Sequence, residues 1–345
     1  MNNVLNTLSS IRTATPGLAN DKLDSKILLR ALAYSMEEQL LYKLGKKQKV
    51  ERNKGTNTVQ WRRYKPLPVA TDRGIITEGV NPTGMKVGSM TVTGSVSVYG
   101  AFIEVTRQTE AYNLDKLLVE YGPLITSHAG ETLELITRDA IEEDGGHYYV
   151  VPANTEAPSE ATVTAANILS LDVCRVIANT MKVARRKGFE SANKYTIVTS
   201  VEGMQDLLDD SKLLAKALTP GNTNKPIMEN GLEHYDIYNL KFYEYAHPVI
   251  TTNASNVDVY HSYCFGESAY AVMDLESAGI EMKRMGFEPK PGDNLGQIAS
   301  LGWITMGFGA QVLDPVACTI ISHAVTNPLT RPENIYASQA EEGSF

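Results

Sequence analysis

Two hydrophobic periodicities alternate along this chain, and the points where one gives way to the other divide it into elements. The first 20 residues are polar, with Pro16 and Gly17 marking a turn, and read as a mobile arm. Leu23, Ile27, Leu28, Leu32, Tyr34, Leu40, Leu41 and Leu44 then recur near helical spacing, which predicts an amphipathic helix closed by Gly45 as its C-cap. Residues 58 to 64 are rich in β-branched and aromatic side chains and read as a strand. From Ser89 the alternation is strict. Met90, Val92, Val96, Val98 and Phe102 face one way and Ser89, Thr91, Thr93, Ser95 and Ser97 the other. Ile103 and Val105 restart the apolar phase after Gly100, as a bulge at that glycine would produce.

Between these strands, residues 66 to 88 contain Pro66, Pro68, Gly74, Gly79, Pro82, Gly84 and Gly88 and no long apolar run. A structureless loop of more than about 15 residues is uncommon inside a compact domain. The pattern predicts instead a long hairpin arm that projects from the body and buries its apolar stripe against neighbouring subunits.

Helical spacing returns at Leu114, Leu117, Leu118, Tyr121, Leu124, Ile125, Leu133, Ile136, Ala140 and Ile141, which predicts the longest helix of the chain over residues 113 to 144. A kink or restart is expected at Gly122 and Pro123, and an end at Gly145 and Gly146. After a polar linker at 152 to 159 the pattern becomes α/β. A helix over 170 to 187 capped by Gly188, a strand over 195 to 200, a helix over 201 to 218 and a loop over 220 to 226 are followed by strand-like runs at 237 to 245, 257 to 264 and 269 to 273. A β-rich block closes the chain at 280 to 322. The fold class is therefore α+β, with residues 160 to 275 as a compact α/β unit and the long helix with the final strands as a second.

Composition narrows the function. The 345 residues carry 32 Lys and Arg against 40 Asp and Glu, a formal charge of −8, and 43% are hydrophobic, which excludes a chain dominated by disorder. No apolar run approaches the ~18 residues of a membrane span, and the N-terminus shows no signal-peptide core, so the expected compartment is a cytoplasm. Cys174, Cys264 and Cys318 stand singly and read as small buried apolar residues rather than disulfides or zinc ligands. Phosphate-loop, zinc-protease, nucleophile-elbow and dinucleotide fingerprints are all missing, and the six histidines show no i, i+4 pair.

Two clusters offer chemistry. Asp139, Glu142, Glu143 and Asp144 crowd the end of the long helix with His147 nearby, and Asp139, Glu143 and His147 are candidate ligands of a metal-dependent hydrolase. Negative charge at a helix C-terminus is disfavoured by the dipole, so a Lys or Arg of another subunit is the alternative partner of this acidic end. Residues 43 to 65 hold nine basic side chains, Lys43, Lys46, Lys47, Lys49, Arg52, Lys54, Arg62, Arg63 and Lys65, against Glu51. They suit either a DNA-binding protein, with Trp61 and Tyr64 stacking on bases, or a basic surface that meets an acidic surface of another copy.

The order of arm, helix, projecting hairpin, long helix, α/β unit and returning strands resembles the major capsid proteins of tailed phages, the Hong Kong 97-type fold. Residues 77 to 82 (TEGVNP), 265 to 270 (FGESAY), 301 to 304 (LGWI) and 311 to 314 (QVLD) are most similar to the coliphage N-four-like subgroup. The resemblance implies an N-terminal arm and helix over 1–54, an E-loop hairpin over 55–107, a P-domain with spine helix over 108–159, an α/β A-domain over 160–275, and returning P-domain strands with a C-terminal tail over 276–345. It implies a structural shell subunit of the virion, without enzymatic activity or cofactor. Such a subunit is made in the bacterial host cytoplasm and assembled as hexamers and pentamers around double-stranded DNA. Scaffolding and portal proteins are expected partners, and a decoration or cement protein is a further one. With no acidic coiled coil before the first helix, scaffold is expected as a separate protein, and no motif selects a Lys and Asn pair for cross-linking. The expected inter-subunit contacts are Arg52, Trp61, Arg62, Arg63, Glu78, Val92, Val96 and Val98, with the acidic helix end at Asp139, Glu142, Glu143 and Asp144.

Overall fold

A computed structural model describes residues 39–51, 57–65, 67, 78–79, 84–112, 117–152, 155–189, 194–210, 227–229, 232–237, 239–276, 279–289 and 291–329. The expected N-terminal arm, the first helix before residue 39, most of the 66–88 loop, residues 211–226 and the tail beyond residue 329 lie outside them. In chain order come α1 (Leu40–Leu44), β1 (Lys46–Val50), β2 (Thr58–Tyr64), β3 (Ser89–Ser95), β4 (Ser97–Thr106), α2 (Arg107–Tyr112), α3 (Leu117–Asp144) and β5 (Gly146–Tyr149). A 3-10 turn (Glu160–Thr162), α4 (Leu171–Val183), β6 (Tyr195–Ser200), α5 (Val201–Leu208), β7 (Ile227–Glu229), β8 (Leu232–Ile237) and β9 (Leu240–Tyr245) follow. The chain closes with β10 (Ile250–Thr252), β11 (Asp258–Phe265), β12 (Tyr270–Leu275), β13 (Ile280–Met285), β14 (Ile298–Val312) and β15 (Cys318–His323).

Among the described residues these strands make three sheets. The largest runs β5, β15, β11, β6, β9, β8, β7, with β10 also on β11. Its central strand β6 is buried at every position, because both faces of the sheet are covered. On one side Cys174, Ile177 and Met181 of α4 and Met204 and Leu207 of α5 pack on Tyr195, Ile197, Phe242, Cys264 and Ile321. On the other, Leu133 and Ile141 of α3 meet Val198, Tyr243, Tyr263, Phe265 and Ile320. With both faces covered, β6 carries Ile197 and Val198 side by side, one packed on each face of the sheet.

The second sheet runs β1, β12, β14, β13, with β4 along β14. The 28 residues of α3 extend about 42 Å at 1.5 Å per residue, long enough to serve both sheets. Leu117, Ile125 and Ala129 near its start pack on Val105, Ala299, Leu301 and Trp303 of the second sheet, and its later turns rest on the first. The third sheet is the two-stranded hairpin β2 and β3, in register from Thr58 opposite Ser95 to Tyr64 opposite Ser89.

Several expectations need correction. Helix α3 runs unbroken through Pro123, which removes only one backbone donor near its start while Leu117, Ile125 and Ala129 keep that end pinned by packing. Helix α4 ends at Val183, before Lys187, because Arg185 takes a left-handed φ of 57° and Arg186 N–H turns back to Met181 O at 2.9 Å. Gly45 does cap α1, but in an extended conformation. The change of apolar phase comes at Val96 rather than Gly100. Val96 leaves the strand, donates to Asn57 O at 3.0 Å and buries its side chain, so Tyr99, Ala101, Ile103 and Val105 turn inward and Val98 and Phe102 outward. The two-block division at residue 275 also fails at the level of sheets. β12 joins the second sheet, while β5 and β15 join the first, since β14 crosses back and hands the chain to β15 beside β11.

Candidate functional site

The hairpin root is built by close approach. A Cβ on Gly94 would strike Met273 and the Trp61 ring, and one on Gly309 would strike the Ser95 carbonyl, so glycine at both positions lets β3 lie directly over β12 and β14. Trp61 is half-buried there, packed with Val59 against Val50, Val96 and Met273 of its own chain, and its indole N–H is buried without a hydrogen-bond partner. Val96 is 8% exposed. These two expected inter-subunit residues therefore pack within their own chain, whereas Arg63, with a side chain 39% exposed, sets its guanidinium 2.6 Å from the buried Asp314 carboxylate. Arg186 approaches the same oxygen at 2.5 Å, so Asp314 joins the hairpin, the end of β14 and the segment after α4. Val92 is half-buried on this inward face, whereas Arg62, opposite Thr91, is exposed on the outward one. Val98 is 58% exposed on β4. Glu78 is exposed in a turn whose Gly79 has a φ of 79°, and Arg52 lies outside the described residues.

Further along the hairpin the apolar side chains lose their cover: Tyr64, Leu67, Met85, Val87 and Met90 are all more than 40% exposed. Among its described residues the basic segment is divided, with β1 in the second sheet and β2 in the third. Lys46, Lys47 and Lys49 stand on β1, paired in parallel with β12, and Lys47 sits 4.0 Å from the Tyr42 ring centroid, while Arg63 is spent on Asp314.

Sequence reasoning missed the anchor of this segment. Glu134 of α3, 3% exposed, accepts hydrogen bonds from the backbone N–H of Leu41 at 2.6 Å and Tyr42 at 3.0 Å, which supplies a carboxylate cap to the short helix α1 from elsewhere in the chain. Burial raises the Glu134 pKa, against the lowering effect of those donors. Tyr270 O–H donates to Leu41 O at 2.6 Å from the other side. The signal was present in the sequence, since Glu134 lies one heptad before Ile141 on the inward face of the helix.

The acidic end of α3 disperses. Asp139 pairs with the adjacent Arg138 at 2.8 Å, Asp144 accepts from Gln311, and Glu143 is exposed. Glu142 turns inward to His261 Nδ1 at 2.8 Å and accepts from Tyr263 O–H at 2.6 Å, so it serves its own subunit rather than a neighbour. His147 is exposed on β5, stacked on Tyr149. Among the described residues no three His, Cys, Asp or Glu side chains are arranged to hold a metal ion, which removes the basis for the Asp139, Glu143 and His147 hydrolase.

One arrangement looks like hydrolase machinery: Ser262 Oγ lies 2.8 Å from His323 Nε2 and 2.7 Å from Thr199 Oγ1. His323 is wholly buried, which lowers its pKa to about 4, and its Nδ1 contacts Ala324 O at 2.9 Å. With Ser262 and His323 both closed to solvent, this trio ties β6, β11 and β15 together and offers no access to a substrate. An acidic recess of about 450 Å³ lined by Asp172, Asp206, Asp209 and Asp210 uses Asp206 to accept from Thr326 N and Asp210 from Leu171 N. The three cysteines are fully buried and unpaired, and burial pushes their thiols well up, as expected of inert core residues.

No protein-family model matches the sequence, and no curated protein matches it either. Solved structures do. The chain aligns with the capsid of Ralstonia phage GP4 at a TM-score of 0.63 and 12% identity, over 92% of this chain and 100% of that one. It aligns with the cyanophage Pam1 capsid at 0.61 and 12%, over 80% and 87%. The SrpI encapsulin of Synechococcus elongatus PCC 7942 aligns at 0.53 and 11%, over 95% and 99%. At these identities the agreement is one of fold. The chain has the α+β, Hong Kong 97-type fold of tailed-phage capsids across most of its length.

Proposed function

We propose that this chain is the major capsid protein of a tailed phage, a structural subunit without catalytic activity. In this reading it assembles with itself as hexamers and pentamers into an icosahedral head shell around double-stranded DNA. The observation that carries the reading is the correspondence of fold with capsid and encapsulin subunits over 92% to 95% of this chain and 99% to 100% of theirs. The exposed apolar side chains on the outer part of the hairpin support it, because a surface of that kind is stabilised by a partner.

Within the shell, residues 55–107 act as the E-loop, 108–159 as the spine helix and its surroundings, and 160–275 as the bulk of the A-domain, with β12 reassigned to the sheet of the returning strands. Residues 1–54 form the N-terminal arm and helix, and 276–345 the returning strands and tail. In this reading contacts to neighbours come from Arg52, Arg62, Glu78, Val98 and the outer hairpin. Scaffolding and portal proteins act in assembly and a decoration or cement protein on the finished shell, in the host cytoplasm and the virion respectively. The resemblance of the short motifs to those of the N-four-like subgroup supports placement there. These motifs include residues with internal tasks, such as Tyr270 on Leu41 O, Trp303 donating to His128 Nδ1 at 3.1 Å, and Asp314 between two arginines.

Negative-stain microscopy with sedimentation of the full chain, with and without a candidate scaffold, tests the reading. Closed shells, rings or tubes are expected. A species that stays monomeric or dimeric across salt and concentration, even with scaffold, would refute it.

A further inference from the structure

Glu142, His261 and Glu160 bring together three segments distant in the chain: the last turn of α3, the strand β11 and the 3-10 turn. His261 Nδ1 lies 2.8 Å from Glu142 Oε2, and Nε2 lies 3.0 Å from Glu160 Oε1, with the ring only 4% exposed. A carboxylate accepts hydrogen bonds and donates none, and a neutral imidazole has a single N–H. With both acids ionised, both contacts are hydrogen bonds only when both ring nitrogens carry protons. The outer oxygens of the two acids are already served, Glu142 Oε1 by Tyr263 O–H at 2.6 Å and Glu160 Oε2 by Thr251 O–H at 3.1 Å. The geometry therefore calls for an imidazolium between two carboxylates.

We propose that this trio is a proton-operated clasp: doubly protonated His261 ties the 3-10 turn to the end of α3, and deprotonated His261 releases Glu160 while keeping Glu142. The two acids differ in the way the release requires. The Glu142 side chain is 18% exposed and held a second time by Tyr263, whereas that of Glu160 is 37% exposed and its carboxylate can return to water. Asn253 Nδ2 donates to the backbone carbonyls of Glu160 and Val163, so release loosens the turn without detaching it.

The other titratable groups around the ring do not compete for this role. Tyr263 on the same strand has its pKa pushed well up, by burial first and then by Glu142, and Arg138 on α3 is engaged with Asp139 and the His247 carbonyl. His323 on the neighbouring β15 is held neutral by burial. Burial alone would lower the pKa of His261, but the hydrogen bonds and charges of Glu142 and Glu160 outweigh it and raise the pKa. With the folded value raised, the clasp contributes fully below the ordinary histidine value and is lost as pH rises through the raised one. All the groups belong to one subunit, so this inference stands independently of the shell reading.

Deuterium exchange at the histidine C2 positions of the full chain, read by mass spectrometry, gives the midpoint of each histidine, and amide exchange over 159 to 163 reports the turn. The His261 midpoint is expected above the ordinary value of ~6.5. Intrinsic-rate-corrected protection of the turn is expected to fall about tenfold as pH passes that midpoint, the worth of one charge-assisted hydrogen bond. Glu160→Gln should lower the midpoint, and His261→Gln should abolish the step. A wild-type midpoint at or below the ordinary value, an unchanged midpoint in Glu160→Gln, or protection indifferent to pH would overturn the clasp. Glu160→Gln, at a partly exposed side chain, carries the test alone if His261→Gln fails to fold.

Discussion

The inner and outer parts of the β2 and β3 hairpin belong to the same pair of strands, yet their apolar side chains end in opposite situations. At the root, Val59, Trp61, Val92 and Gly94 face Val50, Val96 and Met273 of the same chain. Further out, Tyr64 is 64%, Val87 61% and Met90 41% exposed. Alternation in sequence marks a face that needs burial, but it does not say which surface provides it. Here the inward face closes the subunit on itself at the root, while Tyr64, on the outward face with Arg62, and Val87 and Met90 further out stay exposed. In the proposed shell these three would meet a neighbour, so substitutions in the two parts should fail in different assays.

The largest expected effect is at the root. Trp61→Ala should lower the stability of the unassembled chain by about 3 kcal/mol, the usual cost of truncating a packed aromatic, measured as a shift in the denaturation midpoint. A midpoint unmoved by this change would mean that the root is not closed on its own chain. Next comes the anchor of α1. Glu134→Ala leaves the N–H groups of Leu41 and Tyr42 without their acceptor inside the protein, which should cost about 2 kcal/mol and raise amide exchange at residues 41 and 42. The smallest effect on the lone subunit should come from the combined change Tyr64→Ser, Val87→Ser and Met90→Ser. These positions are exposed, so stability should stay within about 0.5 kcal/mol per site by the same denaturation assay, while assembly is lost. A large loss of stability instead would show that the outer hairpin packs on its own subunit.

Local pattern was legible and long-range partnership was not. Thr58–Tyr64 and Tyr195–Ser200 occupy the ranges their side chains predict, because β-branched and aromatic runs bounded by turn residues specify a strand over a few positions. The end of α4 was misread because Arg185, not glycine, takes the left-handed conformation, and nothing in its neighbours announces that. The change of phase at Val96 depends on Asn57, far back in the chain, receiving its N–H. The site residues show the same division. Glu142 looked like one of four equivalent acids at a helix end, and only the fold brings it to His261, 119 positions away. Arg63 looked like a free cation until β14 delivered Asp314 to it. Glu142 and Arg63, whose tasks are set by distant partners, carry no local mark of them.

Sedimentation and negative-stain microscopy of the wild-type chain beside the Tyr64→Ser, Val87→Ser, Met90→Ser variant, both with a candidate scaffold supplied, test the central claim most directly. The account predicts closed shells or their fragments from the wild type and a stable, unassembled subunit from the variant. Equal assembly by both, or assembly by neither, would contradict it.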